Sequence, residues 1–183
     1  IALTGGPQGP VDSAIRDGQM AVAQSRLAAL RTLLGDRLYV ELQRHGLPAE
    51  AAVEPHLIAL AYDMALPLVA TNEAYFGSPA DYEAHDALLC IAEGRYVSED
   101  DRRRLSPEHY FKSADDMCQL FSDLPEALAN TLEIAKRCAF RPKGRKPILP
   151  SFVAAAAGAT EADRLAAEAA ELKRQAEEGL NAR

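Results

Sequence analysis

The chain begins with a short apolar run, residues 1–3, that stops at Thr4, Gly5, Gly6 and Pro7. This pattern predicts a buried strand entering a turn. After a short connecting piece, Met20, Ala23, Leu27, Leu30 and Leu34 recur at helical spacing, and Gly35 follows as a plausible C-terminal stop. Residues 38–42 (Leu-Tyr-Val-Glu-Leu) form a compact run of β-formers with one embedded carboxylate, Glu41. Pro48 opens a second helical pattern whose inner face carries Val53, Leu57, Leu60, Ala61 and Met64. A third short run, residues 66–70, ends at Thr71 and Asn72. Strand, helix, strand, helix, strand in this rhythm predicts right-handed βαβ units and a parallel sheet. Sites in such sheets lie beyond the carboxyl ends of the strands. Here those ends carry Thr4 to Gly6, Gln43 to His45, and Asn72 to Tyr75.

Beyond residue 78 the pattern turns helical. Residues 78–93 predict a helix with Ala84, Ala87, Leu88 and Ile91 inward, followed by a charged stretch at 98–106. Ser113 with Asp116 three residues later is a capping signature for a helix over 114–121. Pro125 opens a helix whose Leu128, Leu132 and Ala135 share a face. Residues 141–150 read as a basic, proline-containing linker, and 160–180 as one long helix with an Ala/Leu stripe. Three strands cannot close a barrel, and so small an open sheet leaves its edges unpaired. Together with the first residue, Ile1, this gives the expectation of a fragment.

Composition changes little in this picture. The 183 residues are 48% hydrophobic with a net charge of −7, which suits a packed core and argues against disorder. No run is long and apolar enough for a membrane span, and no signal-peptide pattern opens the chain. Cys90, Cys118 and Cys138 are widely spaced and odd in number, so the expected setting is a reducing, cytoplasmic one with no membrane partner.

Several strings then resemble one family in order and spacing: IALTGGPQGPV (1–11), LYVELQRHG (38–46), LPLVATNEAYF (66–76), YFKSADDM (110–117), LFSDLPEALANTLEIAKRC (120–138), ILPSF (148–152) and EEGL (177–180). They resemble the DNA polymerase III alpha-subunit family of bacterial replicative polymerases (C family). The matched part is the second half of its PHP domain and the start of its palm. The resemblance implies a partial PHP-type β/α barrel over 1–95, a helical connector over 96–141, and a basic linker with the first palm helix over 142–183. It implies DNA and other replisome subunits as partners, among them the proofreading exonuclease on the PHP domain. Magnesium-dependent DNA synthesis then belongs to the parent, with no catalytic or cofactor-binding residue and no cofactor in this segment.

Metal-binding members of the family carry an Asp-x-His pair after the last barrel strand, and often a Cys after a Ser-Gly turn. The corresponding positions here are Glu73 and Tyr75, and Gly6, so the resemblance implies a degenerate metal site: tyrosine replaces an imidazole poorly and glycine offers no ligand. Glu41 has two readings: a barrel-interior carboxylate facing that pocket, or a buried or half-buried Glu paired with an arginine such as Arg44 or with a partner from the barrel's first half. His45 shares both. His56, His85 and His109 have no spacing of a zinc motif. Without a following Lys-Ser/Thr, Gly5, Gly6 and Gly9 do not make a P-loop. The six cations from Lys136 to Lys146 include Arg141, Lys143, Arg145 and Lys146, candidate phosphate contacts against the alternative of a solvated linker. The rival functions are a metal-dependent PHP phosphoesterase or pyrophosphatase, and a stand-alone helical interaction module built on residues 160–180.

Overall fold

The structure, a computed structural model, describes all residues except 146, 148–150 and 155–158. These fall into two compact units, Ile1–Phe140 and Arg141–Arg183. The first is an α/β unit with three parallel strands in the order β1 (Ala2–Leu3), β2 (Leu38–Gln43), β3 (Leu68–Thr71). Ala2 pairs with Leu38, and Val40 to Gln43 pair in register with Leu68 to Thr71. Central β2 is buried at four of its six positions, as a strand with neighbours on both edges and helices nearby requires.

The helices are α1 (Pro10–Arg16), α2 (Met20–Leu34), α3 (Pro48–Asp63), α4 (Tyr82–Glu93), α5 (Ala114–Leu120) and α6 (Pro125–Arg137). Helix α1 occupies what the sequence presents as a connecting piece. Its seven residues are too few for periodicity to stand out, yet Pro10 sits in the first turn and Val11, Ala14 and Ile15 are buried on one face. Ala23 and Leu27 of α2 and Val53, Leu57, Leu60 and Ala61 of α3 join β2 and β3 in one core. Ser113 caps α5 through the expected box, its hydroxyl accepting from the Asp116 N–H at 3.1 Å.

Two expected helix faces are corrected. In α4 the apolar stripe points outward: Leu88 is 61% and Ile91 77% exposed. The inward positions are Asp86 and Cys90, because Arg102 folds back from the following loop and forms two 2.6 Å bonds with the Asp86 carboxylate. In α6, Leu132 is exposed and Ala127 is fully buried. That rotation lets the Asn130 side-chain amide donate to the Leu68 carbonyl of edge strand β3 at 2.8 Å. Satisfying a strand edge outweighs one leucine's burial.

Arg44, just after β2, joins the sheet to α3 and to the turn between α5 and α6. Its guanidinium donates to both Glu54 oxygens (2.6–3.2 Å), both Asp123 oxygens (2.7 and 2.8 Å) and the Leu120 carbonyl (2.6 Å). It also lies 4.5 Å over the ring of fully buried Phe121. These carboxylates hold the guanidinium firmly charged, pushing its pKa up.

In the second unit, α7 (Glu161–Asn181) is capped by Thr160, whose hydroxyl accepts from the Asp163 N–H. Glu168 accepts from the Phe152 N–H and the Ser151 hydroxyl. Leu165, Leu172 and Leu180 are exposed. Among the described residues, no helix is long and apolar enough to cross a membrane.

Replacing Arg44 by Met keeps the apolar stem but strands the Glu54 carboxylate. Arg44→Met should therefore lower unfolding free energy by about 3 kcal/mol, the low end for a broken, partly buried pair. Urea titration followed by circular dichroism measures the loss.

Candidate functional site

The carboxyl ends of the three strands meet at a cleft of about 560 Å³, with Gly5 to Gly9, Gln43, Glu73, Tyr75, Arg103, Arg104 and His109 in its walls. Each wall follows from local backbone chemistry. After β1, Gly5 adopts a positive φ of +79°, a conformation that favours glycine. Gly9 sits so close to the turn that a Cβ there would lie 2.6 Å from the Thr4 carbonyl and 2.9 Å from those of Gly5 and Gly6. After β3 the chain is held by a second extended segment. The Tyr75 N–H donates to the His109 carbonyl, the Phe111 N–H to the Phe76 carbonyl (both 2.9 Å), and Asn72 bonds the Tyr110 carbonyl.

Below the cleft floor lies Glu41. One of its oxygens accepts from the Gly5 N–H at 3.1 Å and the other from the Thr71 hydroxyl at 2.6 Å, while its own N–H donates to the Thr4 hydroxyl. Its partner is thus not Arg44, which is committed to Glu54 and Asp123. The carboxylate lies between the two neighbouring strand ends, so neutral donors reach it first.

His45 is buried between two carboxylate-bearing elements. Its Nε2 accepts the Glu73 N–H at 3.2 Å, so the ring proton resides on Nδ1 and is donated to Glu50 at 2.7 Å. Burial pushes the Glu50 carboxyl up, but bonds from the His45 side chain and backbone outweigh it and leave its pKa lowered. The His109 ring stacks on His45 with centroids 4.1 Å apart. Burial, then the nearby His45, pushes the His109 pKa down. Ser106 closes the network, donating from its hydroxyl to the His45 carbonyl and from its N–H to His109 Nδ1.

The positions singled out by the family resemblance come together in part. Gly6, Glu73 and Tyr75 all border the cleft, and Glu41 lies beneath it. The Tyr75 hydroxyl donates to Glu73 at 2.5 Å, and this bond, with some burial, raises the tyrosine pKa. The Gln43 amide oxygen fills the space beside Gly6, 2.1 Å from where a Cβ would stand. Tested against a metal, these donors fit poorly. At the family's ligand positions a neutral phenol bonded to Glu73 and a glycine stand in place of an imidazole and a thiolate, and among the described residues no three His, Cys, Asp or Glu side chains converge as a ligand group. The basic run divides: Lys136 pairs with Glu133 and Arg137 with Asp36, whereas Arg141, Lys143 and Arg145 are exposed. Lys146 lies outside the described residues.

Sequence reasoning passes over Asp12. It is only 4% exposed, and its Oδ1 has no hydrogen-bond partner among the described residues. Burial pushes its pKa up to about 7, with the Glu41 charge adding to the rise and Arg16 opposing it. The signal available was its place one residue after Val11 in a helix too short to be noticed.

The molecule is an α/β protein whose parallel strands open onto a polar cleft. No family model matches the chain. Over all 183 residues it is 54% identical to the DNA polymerase III subunit alpha of Caulobacter vibrioides. It is also 42% identical to that of Pseudomonas aeruginosa over 156 residues and 38% identical to that of Escherichia coli over 153, each covering 83% of the chain. By sequence the chain belongs to the DNA polymerase III alpha-subunit family. It spans 15% of the Caulobacter protein and 13% of each of the other two.

Asp12 makes stability pH-dependent with a defined sign. The folded chain keeps a proton there that the unfolded chain releases near pH 3.8, so this contribution is fully present below that pH and lost as pH rises through about 7. In chelator-treated buffer, Asp12→Asn should be more stable than the parent at pH 8 and close to it at pH 4, by about 1.4 kcal/mol per pKa unit. Urea unfolding at the two pH values checks this.

Proposed function

We propose that this chain is the segment of a replicative DNA polymerase catalytic subunit that forms the later part of a PHP-type β/α barrel, the helical connector and the entry to the palm. Its part in the subunit is to buttress the polymerase and offer a docking surface, not to perform chemistry. The observation that carries this reading is the match of the whole chain to the alpha subunit at 54% identity. The three parallel strands and the helices after them suit a portion of such a barrel. The parent's template-directed, magnesium-dependent DNA synthesis, its replisome partners, the proofreading exonuclease among them, and its cytoplasmic setting belong to this same proposal. No residue placed here is assigned a step in that reaction.

The chemistry of the cleft supports a PHP site that no longer holds metal. With Tyr75 donating to Glu73, and the Gln43 amide filling the space beside Gly6, the ligand types such a cluster needs are absent from those positions. In the full-length parent subunit, Glu73→Ala should leave primer extension within twofold, and neither zinc nor manganese should elicit phosphoesterase activity. Metal-dependent phosphatase turnover that Glu73→Ala abolishes would overturn the reading in favour of an active phosphoesterase.

Arg141, Lys143 and Arg145, exposed in the second unit, are proposed with Lys146 to contact DNA phosphates. Each phosphate contact adds about 0.9 to the slope of log affinity against log salt on duplex DNA. Replacing all four by Ala in the parent subunit should flatten that slope by up to about 3–4. An unchanged slope in binding titrations from low to high salt would remove the segment from the DNA interface.

A further inference from the structure

The charges that wall the cleft differ in how far the fold already balances them. Of its two acids, Glu50 is buried with both oxygens bonded to His45, and the exposed Glu73 accepts the Tyr75 hydroxyl. The turn from Gly5 to Gly9 carries no charged side chain. Against these stand Arg103 and Arg104, both exposed at the cleft. Among the described residues Arg103 forms no ion pair, and Arg104 has only Asp100, fully exposed and 3.9 Å away. Arg102 is the arginine of this run that the fold itself uses, its side chain 1% exposed against Asp86. Two guanidiniums thus face the exposed Glu73, and the cleft keeps a surplus of positive charge.

A groove of about 400 Å³ adjoins the cleft and shares Gln43, Leu47 and Glu50 with it. Its other charged groups, Arg44 and Glu54, are paired with each other, while Pro48, Ala51 and Pro55 give it an exposed apolar strip along the start of α3. A cationic end and an apolar strip on one path suit an extended peptide better than a compact ion. A carboxylate meets the surplus with a single negative charge and matches the guanidinium fork, whereas a phosphate dianion would exceed it and face Glu73. We propose that the cleft and groove together dock an extended acidic peptide of a partner protein, with a carboxylate on Arg103 and Arg104 and a neighbouring apolar side chain along Pro48 and Ala51. This surface gives the docking role read above its place on the chain, and it rests on that reading.

The probe is a displayed library of random decapeptides, panned on the full-length parent subunit and counter-selected against its Arg103→Gln/Arg104→Gln variant. Primer extension by the same preparation tests the polymerase reading, so that reading and the docking site can fail separately. Enriched peptides should carry an Asp or Glu next to an apolar residue. A labelled enriched peptide, followed by fluorescence anisotropy, should bind the arginine variant about tenfold more weakly and lose affinity as salt is raised. Ala51→Glu, which puts bulk and negative charge into the groove while keeping a good helix former, should weaken binding by a similar factor. Leu88→Ala, on the outward stripe of α4, should leave it unchanged. Failure to enrich any peptide from a subunit that extends primers would overturn the proposal, as would enriched sequences without acidic residues. So would affinity unchanged in Ala51→Glu, or inorganic phosphate displacing the peptide at equal concentration, which would leave the arginines to a small anion.

Discussion

The strand ends depend on one carboxylate. Glu41 accepts the Gly5 N–H with one oxygen and the Thr71 hydroxyl with the other, and its own amide donates to the Thr4 hydroxyl. Because β1 is only two residues long, two ladder positions alone cannot define its direction. The Glu41 bonds extend that definition past the strand and into the Gly5–Gly9 turn. They fix the turn that walls the cleft, the β3 end that leads to Glu73, and the position of α1 that follows. A half-buried carboxylate bound by neutral donors tolerates little disorder around it, since each lost donor leaves charge less satisfied.

Three residues on, Arg44 makes the complementary contribution. The chain leaves β2 with a cation whose planar fork meets two carboxylates from different elements, and its face covers Phe121. The turn between α5 and α6 is thereby joined to the sheet through charge-assisted bonds on a half-buried side chain, where they are worth more than in water. His45, the next residue, continues the pattern through Glu50 and the stacked His109. Three consecutive positions, Gln43 to His45, thus serve three neighbours: the turn after β1, the turn between α5 and α6, and the segment that closes the cleft.

The carboxylates beneath the cleft differ in how they are satisfied. Glu41, Glu50 and Glu54 each accept from donors or a cation, whereas the buried Oδ1 of Asp12 has no partner among the described residues. Asp12 stands on α1, the element that periodicity alone does not reveal.

The sequence by itself determined the three parallel strands, helices α2 and α3 between them, the Ser113 cap and the family. Periodicity, β-branched runs and capping boxes act over a few residues, and so leave a local record. Only the tertiary structure decided which faces of α4 and α6 turn inward, because the partners, Arg102 for Asp86 and the Leu68 carbonyl for Asn130, lie beyond the window in which a helix shows its stripe. It also decided the partners of Glu41 and Arg44. A charged residue in an apolar strand announces that it needs a partner, but the one it finds depends on which donors the fold brings within reach, and for Glu41 those donors were a backbone amide and a hydroxyl.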